Sequence, residues 1–405
     1  MDATFDSLDV RDAADAIEAL RGAAARNQPL AIVGAGSKKR LGRHAPASRE
    51  LSTRALAGVT LYEPEELVLS AGAGTPLREI EALLDAHRQQ FAFEPMDYAP
   101  LFGGATRSAT IGGVIAVNAS GPRRIKAGGA RDHLLGFQCV TGRGEKVKSG
   151  GRVMKNVTGY DLSKLICGSY GTLALLTEVT LKVLPKAETE QTLLVIGLDE
   201  AQSLAQLRRA SGTPHEASAF AMLPAGAEPL GYDGNVAALR LEGPEVSVAT
   251  RRDALITELA DSGAEFETLT QEDSAALWAS LRDATPIAGH SGQVWRLSLA
   301  PTDGGKAVEA LRKAGAPILA YFYDWCGGLV WLCLEPAPDA HAAAVRAAVD
   351  SYGGHATLIR AADETRAKVD VFHPQPSPLA ALTRRVKESF DPAHVLERGR
   401  MRAEY

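Results

Sequence analysis

A proline followed by a polar stretch divides this chain of 405 residues into two parts with different sequence patterns. Before Pro185, the apolar segment LALLTEVTLKVLP predicts a buried strand, which the proline ends. After it, the polar run AETEQT leads into a region where apolar strands alternate with helices. Because a chain of this length can form two or three domains, each with its own core, we take Pro185 as a domain boundary.

The region after the boundary has the pattern of an α+β domain. Its strand-like segments TLLVIGL, NVAALRLEG and QVWRLSLAP are separated by helix-like segments such as DEAQSLAQLRRAS. This order favours an antiparallel sheet with helices on one face over a doubly wound parallel sheet. The ending LAALTRRVKESFDPAHVLERGRM predicts an amphipathic helix and an Asp-Pro turn. We therefore expect domains over residues 1–185 and 186–380, and a C-terminal helix and tail over 381–405 that returns to the first domain.

The first half contains strand and helix patterns on either side of a glycine-rich region. TLYEP and ELVLSAGAG alternate like paired strands, and PLREIEALLDAHRQQ has the apolar spacing of a helix. Residues 91–135 show little periodicity and much glycine, so we interpret them as a long structured loop, which in a compact domain is usually functional. GFQCVTGRGEKVKSG then predicts a hairpin, and DLSKLICGS predicts a short helix.

The composition excludes several classes of protein. Lys+Arg 44 against Asp+Glu 49 gives a net charge of −5, whereas a nucleic-acid-binding protein has a basic surplus. The acidic N-terminus lacks the pattern of a signal peptide, and no stretch approaches the roughly 18 apolar residues of a membrane helix. The four cysteines lie in apolar contexts without CxxC spacing, which is typical of buried reduced thiols. We expect a cytoplasmic protein that meets a membrane, at its inner face, only through partners.

Two glycine-rich segments carry the first functional signal. GAGSKKRLG, at residues 34–42, follows a short strand but lacks the third glycine of the GxGxxG dinucleotide fingerprint. TIGGVIAVNASG, at residues 110–121, has no charged or aromatic side chain, so backbone N–H groups there can approach a ligand closely. Each segment alone also fits a structural turn. Together, two such loops can close on one anion, such as a diphosphate.

These motifs and the segment after them resemble a known family. SATIGGVIAVNASGPRR, GARDHLLGFQCVTGRGEKV and KNVTGYDLSKLICGSYGTLALLTEVTLKVLP are similar to the FAD-binding half of the vanillyl-alcohol oxidase/p-cresol methylhydroxylase (PCMH) superfamily. EPMDYAP resembles its 2-hydroxyacid dehydrogenase branch. The resemblance is dense over residues 30–185, weak from 186 to 380, and returns in FDPAHVLERGRM. It implies a two-subdomain PCMH-type FAD-binding domain and a smaller α+β cap domain with an antiparallel sheet.

The resemblance also implies which residues bind the cofactor. Members that hold the flavin covalently often carry a histidine where this chain has Ser37, so we expect noncovalent FAD and interpret His44 as a solvated loop residue. The resemblance implies a first pyrophosphate loop, a second segment around the diphosphate and the flavin ring, and a third that contacts the adenosine end or the flavin. In that order, their residues are Gly34, Ala35, Gly36 and Ser37; Thr110, Gly112, Gly113, Ala116 and Asn118; and Gly171, Thr172, Leu176 and Thr177. Leu41, Gly42 and Pro95 are implied as further cofactor-binding residues.

One motif of the branch is missing. Catalytically competent members usually carry G-H-x-G-D-G-N-x-H, whose histidines hold a divalent metal against the substrate. Here GHSGQVWRL keeps only Gly-His, and His355, His373 and His394 are scattered, so we expect no metal site and assign no catalytic residue. A complete FAD domain with a short cap and no metal site resembles the FAD-binding subunits of bacterial glycolate oxidases. In that family a sister flavin subunit carries the hydroxyacid site and an iron–sulfur subunit passes electrons onward.

Three functions follow from this resemblance. The first is a flavin subunit of a heteromeric glycolate (2-hydroxyacid) dehydrogenase of glyoxylate metabolism, taking part in electron transfer with those two partner subunits. The second is a self-sufficient FAD-dependent 2-hydroxyacid dehydrogenase, in which Arg296, Arg360 and Tyr323 would contact the substrate's carboxylate and hydroxyl. The third is a non-catalytic assembly subunit with structural FAD, in which YFYDWCGGLVWLC would supply an interface, although a buried strand is the better interpretation of that segment.

Overall fold

The computed structural model describes residues 7–151 and 159–405. The start of the segment KNVTGY, at residues 155–158, therefore lies outside the described residues. The observed fold is α+β with predominantly antiparallel sheets, which confirms the predicted class. No helix in the two described ranges has the length and apolar character needed to cross a membrane.

The chain begins with a small parallel sheet and one helix. The strands are ordered β1-β3-β2, and they comprise β1 (Ser7–Asp9), β2 (Leu30–Val33) and β3 (Arg49–Ser52). Helix α1 (Ala13–Arg26) begins where the Asp12 side chain accepts the N–H groups of Ala14 and Asp15. It ends at Asn27, whose left-handed backbone closes the last turn.

A second, antiparallel sheet forms the body of the N-terminal half. The strands are ordered β4-β5-β9-β7-β8. They comprise β4 (Val59–Glu63), β5 (Val68–Gly72), β7 (Leu134–Thr141), β8 (Lys146–Gly150) and β9 (Ala174–Lys182). The predicted hairpin β7–β8 and strand pair β4–β5 are confirmed, as are helices α2 (Leu77–Ala86) and α7 (Leu162–Ile166). The short strands β6 (Gln89–Gln90) and β10 (Leu184–Pro185) pair with each other.

The expectation of a loop over residues 91–135 was wrong in part. This region contains α3 (Ala99–Phe102), α4 (Ile111–Val117), α5 (Arg124–Ala127) and α6 (Ala130–His133). Each of these helices has at most seven residues, which is about two turns. Such short helices do not develop the apolar periodicity that identifies a helix in a sequence.

Residues 189–360, all of them described, build the large antiparallel sheet. Its order is β14-β11-β13-β12-β16-β17-β15-β18. The strands comprise β11 (Thr189–Ile196), β12 (Ala219–Leu223), β13 (Val236–Gly243), β14 (Glu265–Thr270), β15 (Gln293–Ser298), β16 (Ile318–Asp324), β17 (Leu329–Leu334) and β18 (His355–Arg360). The aromatic segment 321–333 forms β16 and β17 in the middle of this sheet, so its side chains are largely buried rather than available as an interface.

Helices cover both faces of the large sheet, whereas we expected them on one face only. Side chains along β17 alternate between the two faces. Val330 and Leu332 pack against helices on the first face, and Trp331 packs on the second face, which the N-terminal half and two further helices cover. The second face also carries apolar side chains, so it too must be buried against other elements. On the first face lie α8 (Glu200–Ser211), α9 (Glu245–Leu259), α12 (Gly304–Lys313) and α13 (Ala342–Asp350); on the second lie α10 (Gln271–Arg282) and α11 (Thr285–Ala288).

The C-terminal segment packs on the first half of the chain. After α14 (Asp363–Lys368), helix α15 (Ser377–Phe390) carries the buried Lys387, whose ammonium donates to Thr172 O at 2.7 Å. Leu30 in β2 bridges to Leu396 in the tail. The tail thereby reaches the edge of the small parallel sheet. The domain limits at residues 185 and 380 stay a prediction.

Candidate FAD-binding cleft

A cleft of about 670 Å³, counting its open mouth, lies where the first glycine-rich loop, α4, the turn at residues 170–176 and the C-terminal tail meet. Three segments that are far apart in the sequence thus line one cavity. The residues implied by the family resemblance that line it are Gly34, Ala35, Gly36, Ser37, Thr110, Gly112, Gly113, Ala116, Gly171 and Leu176.

The first loop leaves β2 at Val33 and turns sharply. Gly36 has φ +85°, a backbone conformation that side chains with a Cβ rarely adopt. Gly34 lies so close to Thr110 that a Cβ would stand 2.3 Å from the threonine Oγ1. The small residues of this loop therefore serve two purposes. They permit the turn, and they let the first and second segments touch.

The second segment is a helix rather than an amide-rich loop. The N–H of Ile111 donates to Thr75 O at 3.0 Å and that of Gly112 to Ala73 O at 2.8 Å, so these two amides are used within the protein. A Cβ on Gly112 would lie 2.7 Å from both Cβ and O of Ala73. Gly112 is thus required because α4 packs directly on the backbone after β5. A Cβ on Gly113 would meet Thr110 Oγ1 and Lys38 Cδ only at 3.4 and 3.7 Å.

The third segment is a tight turn fastened to α4. The N–H groups of Gly168 and Tyr170 donate to Ile115 O and Ala116 O at 3.0 and 2.8 Å. Gly171 has φ +76°, and a Cβ there would lie 3.3 Å from Glu397 Cγ. The turn, α4 and the tail therefore form one wall of the cleft.

The remaining implied residues lie beside the cleft or elsewhere. Leu41 is buried in the core, and Gly42 has φ +84° and packs under Arg400. Pro95 lines a different cleft, between the two halves. Asn118 ends α4 in a left-handed conformation, and its Oδ1 accepts Arg131 N–H at 3.1 Å. Thr172 bonds to Ser169 O, and Thr177 O accepts Ala73 N–H, which ties β9 to the wall of the cleft.

Sequence reasoning missed four charged residues of the cleft: Lys38, Lys39, Glu397 and Arg400. Arg400 donates to Lys38 O at 2.7 Å and to Leu41 O at 3.2 Å, and it pairs with Glu397 at 2.9 Å. Glu397 in turn accepts Ile32 N–H at 2.8 Å. Hydrogen bonds from the tail motif LERGRM therefore hold the first loop and the end of β2 in place. A lysine next to a glycine-rich loop looks like a surface residue in the sequence, and only the packing reveals that Lys38 is 7% exposed.

Two of the three candidate substrate-binding residues make their hydrogen bonds to other groups of the protein. Arg360 donates to the backbone carbonyls of Gly292, Leu101 and Ala288 at 3.0 to 3.1 Å. Tyr323 is fully buried on the first face of the large sheet, and its hydroxyl donates to Glu200 in α8. Burial and the neighbouring Glu200 carboxylate both raise the pKa of Tyr323 far above its ordinary value.

Arg296 has a different environment. Its guanidinium carbon lies 4.9 Å from the ring centre of Trp325, and that of Arg124 lies at the same distance from the same ring. Burial, together with the positive charge of Arg296, lowers the pKa of Arg124. Within the described ranges, neither guanidinium has a carboxylate or carbonyl acceptor of its own. This half-buried pair places two positive charges between the two halves of the chain, although the Asp132 carboxylate acts electrostatically on Arg124.

Two of the scattered histidines, His355 and His373, lie close enough to interact electrostatically. His44 approaches Asp363 at 3.6 Å on the exposed surface, and His373 approaches Asp350 at 2.8 Å. Among the residues that the structure describes, no group of three His, Cys, Asp or Glu side chains lies close enough to hold a metal ion. All four cysteines are free and buried, as predicted, and burial raises the pKa of the Cys139 and Cys167 thiols to about 12.

The chemistry of the cleft fits an elongated anionic cofactor. Glycines and small side chains form much of its lining, so a bulky ligand can approach the backbone closely there. The lining also includes one buried ammonium group, which has no acidic partner among the described residues. Lys38 Nζ has Ser37 Oγ at 3.3 Å as its hydrogen-bond partner, and burial lowers its pKa to about 8. A diphosphate supplies the negative charge that such a site lacks.

Comparison with known proteins identifies the cofactor. Residues 8–150 match the model of the FAD-binding domain family. Glycolate oxidase subunit GlcE of Escherichia coli is 35% identical over 390 residues, which are 96% of this chain and 97% of that protein. Glycolate oxidase subunit GlcD of Bacillus subtilis is 44% identical over 88 residues, 22% of this chain and 19% of that protein.

A solved structure agrees on the fold. p-Cresol methylhydroxylase with substrate bound superposes with a TM-score of 0.70 at 13% identity, over 98% of this chain and 88% of that one. FAD is accordingly the cofactor of this chain, which is a flavin-dependent oxidoreductase. The chain belongs to the PCMH-type FAD-binding superfamily, and within it to the family of glycolate oxidase subunit GlcE.

Proposed function

We propose that this chain is the FAD-binding subunit of a heteromeric glycolate oxidase, which converts a 2-hydroxyacid to a 2-oxoacid. In this proposal it takes part in electron transfer with a sister flavin subunit and an iron–sulfur subunit. The observation that carries the proposal is the near full-length similarity to GlcE, at 35% identity over 96% of this chain. The absence of a metal-binding histidine cluster among the described residues supports it, because a 2-hydroxyacid dehydrogenase that works alone would need such a group or a substitute.

The residues of this chain have defined tasks in the proposal. Bound FAD supplies the two-electron redox chemistry. The first loop, α4 and the turn at residues 170–176 hold the cofactor, and Arg400 keeps the first loop in place by its bonds to Lys38 O and Leu41 O. Arg400 is a positioning residue. Ser37 cannot form the bond that a histidine makes in covalent flavoproteins, so we expect noncovalent FAD, which denaturation and filtration would release into solution.

The experiment compares the isolated chain with the assembled complex. The chain is purified alone and together with a co-expressed sister flavin subunit and iron–sulfur subunit, and glycolate or D-lactate is added anaerobically. We expect the flavin of the isolated chain to keep its visible absorbance. The flavins of the complex should bleach, and a tag on this chain should retain both partners. Failure to retain them, or bleaching of the isolated chain, would contradict the proposal.

One observation favours a second candidate, a self-sufficient 2-hydroxyacid dehydrogenase. The unpaired guanidinium groups of Arg124 and Arg296 beside Trp325 are suited to a carboxylate. If the isolated chain bleaches with glycolate, replacing Arg296 by Met should raise KM at least tenfold, because a charged hydrogen bond contributes about 1.5–3 kcal/mol. Arg209→Met is the matched control, since Arg209 lies on α8 and pairs with Asp261 at 2.6 Å.

A further inference from the structure

We propose that Lys38 is the countercharge of the FAD diphosphate. Its ammonium group is buried without an acidic partner among the described residues, and the cofactor would neutralise it. The inference goes beyond the proposed function, because it holds whether or not this chain works in a complex. It concerns a residue that the glycine-rich pattern of the first loop does not reveal.

The position of Lys38 is set by its backbone and its stem. Arg400 Nη2 holds the carbonyl oxygen of Lys38 at 2.7 Å. The Cδ atom lies 3.7 Å from where a Cβ on Gly113 would stand, so the stem passes between the first loop and α4. The ammonium nitrogen lies 3.3 Å from Ser37 Oγ. Lys38 therefore occupies the junction of the two segments that we expect to hold the diphosphate.

The acidic groups around Lys38 already have other hydrogen-bond or ion-pair partners. The carboxylate of Asp97 is the acidic group that acts on it electrostatically, but it accepts the backbone N–H groups of Ala99 and Arg107 and forms no ion pair with Lys38. Glu397 is paired with Arg400, and Glu50 with Lys39. Tyr170, also in the cleft wall, has a pKa raised above its ordinary value by burial, so it stays neutral. No carboxylate in the described part of the chain lies within 4 Å of the ammonium.

An unpaired buried charge is unfavourable, and a bound anion removes that penalty. Burial lowers the pKa of Lys38 to about 8 in the absence of a ligand. A neighbouring phosphate favours the charged form and raises this pKa again. Between pH 8 and the raised pKa, FAD binding therefore takes up a proton, and affinity falls as the pH rises. The expected loss is about tenfold between pH 7 and pH 9.

The test measures FAD affinity by quenching of flavin fluorescence, using full-length chain stripped of its cofactor. For Lys38→Met we expect a Kd at pH 7 that is roughly ten- to hundredfold higher, since a charged hydrogen bond to phosphate is lost. The dependence on pH between 7 and 9 should disappear in this variant. In Lys38→Arg, whose charge does not titrate, affinity should be largely kept and the pH dependence should also disappear.

Lys306→Met is the matched control, because it removes the same charge from a lysine outside the cleft. Lys306 lies on α12, is exposed, and its ammonium is paired with Asp303 at 2.7 Å. We expect its FAD affinity to stay within threefold of the wild type, with the wild-type pH dependence. The cofactor-free Lys38→Met protein should melt no lower than the cofactor-free wild type at pH 7, because the substitution removes a desolvated charge. Weaker binding without lower stability distinguishes loss of the countercharge from misfolding.

A last measurement separates the diphosphate from the flavin ring. The midpoint potential of bound FAD should be the same in Lys38→Met and the wild type at saturating FAD, because a charge on the diphosphate side does not act on the ring. A changed potential would assign Lys38 to the ring and overturn the proposal. A Lys38→Met affinity within threefold of the wild type at pH 7 would overturn it as well.

Discussion

At the scale of single residues, the buried carboxyl group of Asp324 lowers the stability of the folded protein at neutral pH. It ends β16, is 2% exposed, and accepts the N–H of Trp325 at 2.7 Å. Burial raises its pKa to about 7. Because the unfolded chain ionises at an ordinary pKa, folding stability contributed by this group falls as the pH rises from 4 to 7 and stays low above that.

Replacing Asp324 by Asn should therefore stabilise the protein at pH 8 and not at pH 4. The amide oxygen can still accept the Trp325 N–H, while the ionised form no longer exists. The raised pKa corresponds to a gain of at most about 4 kcal/mol at pH 8. Urea unfolding at both pH values measures it, and equal effects of the substitution at pH 4 and pH 8 would show that the fold does not raise the pKa of Asp324.

At the scale of elements, the packing of α4 on the backbone after β5 decides the shape of the cleft. A Cβ on Gly112 would stand 2.7 Å from Ala73 O, which the backbone of both elements would have to avoid. We expect Gly112→Ala to destabilise the cofactor-free protein by about 1–3 kcal/mol through overpacking.

Gly113→Ala is the control, since it adds the same methyl group to the same helix. Its Cβ meets Thr110 Oγ1 and Lys38 Cδ at 3.4 and 3.7 Å, close to ordinary contact, and alanine is the better helix former by about 1 kcal/mol. Thermal unfolding of the two cofactor-free variants should thus change in opposite directions or differ by several degrees. Equal melting temperatures would mean that α4 does not depend on close approach at Gly112.

At the scale of the whole molecule, a buried ion network joins the N-terminal half to the large sheet. Arg240 in β13 is 1% exposed and grips both oxygens of Glu94 at 2.8 Å. Arg123 bonds to Glu242 at 2.8 Å. Despite burial, these two arginines lower the pKa of Glu94 to about 2. The network therefore adds stability above pH 4.5, and this contribution is lost as the pH falls toward 2.

Replacing Arg240 should reveal how the stability contributed by this network depends on pH. Arg240→Met leaves the Glu94 carboxylate buried without its bidentate partner, and we expect a loss of about 3–5 kcal/mol at pH 7 and a smaller loss near pH 3. Adding Glu94→Gln should recover part of the loss. The exposed pair of Arg209 and Asp261 is the reference, where Arg209→Met should cost less than about 1 kcal/mol. Denaturant unfolding measures all three, and a pH-independent loss for Arg240→Met would contradict the assignment.

Much of the fold followed from local patterns in the sequence. The hairpin β7–β8, the strand pair β4–β5 and helix α2 were predictable because turn residues and apolar periodicity act over a few neighbouring residues. The short helix α4 was not, because seven residues show no period. Its glycine at position 112 is small for packing against Ala73, whereas the sequence alone suggested contact with a ligand.

By itself, the sequence determined the α+β class, the cofactor through the resemblance of its motifs, and three of the segments that line the cleft. Those depend on residue type and order along the chain. Only the tertiary structure decided which residues meet across long separations. Arg400 bonds to the first loop, Arg360 and Tyr323 make their hydrogen bonds within the fold, and Lys38 is buried with no acidic partner in the described part of the chain. Burial and pairing set the cost of a charge, and both depend on neighbours that the linear sequence does not show.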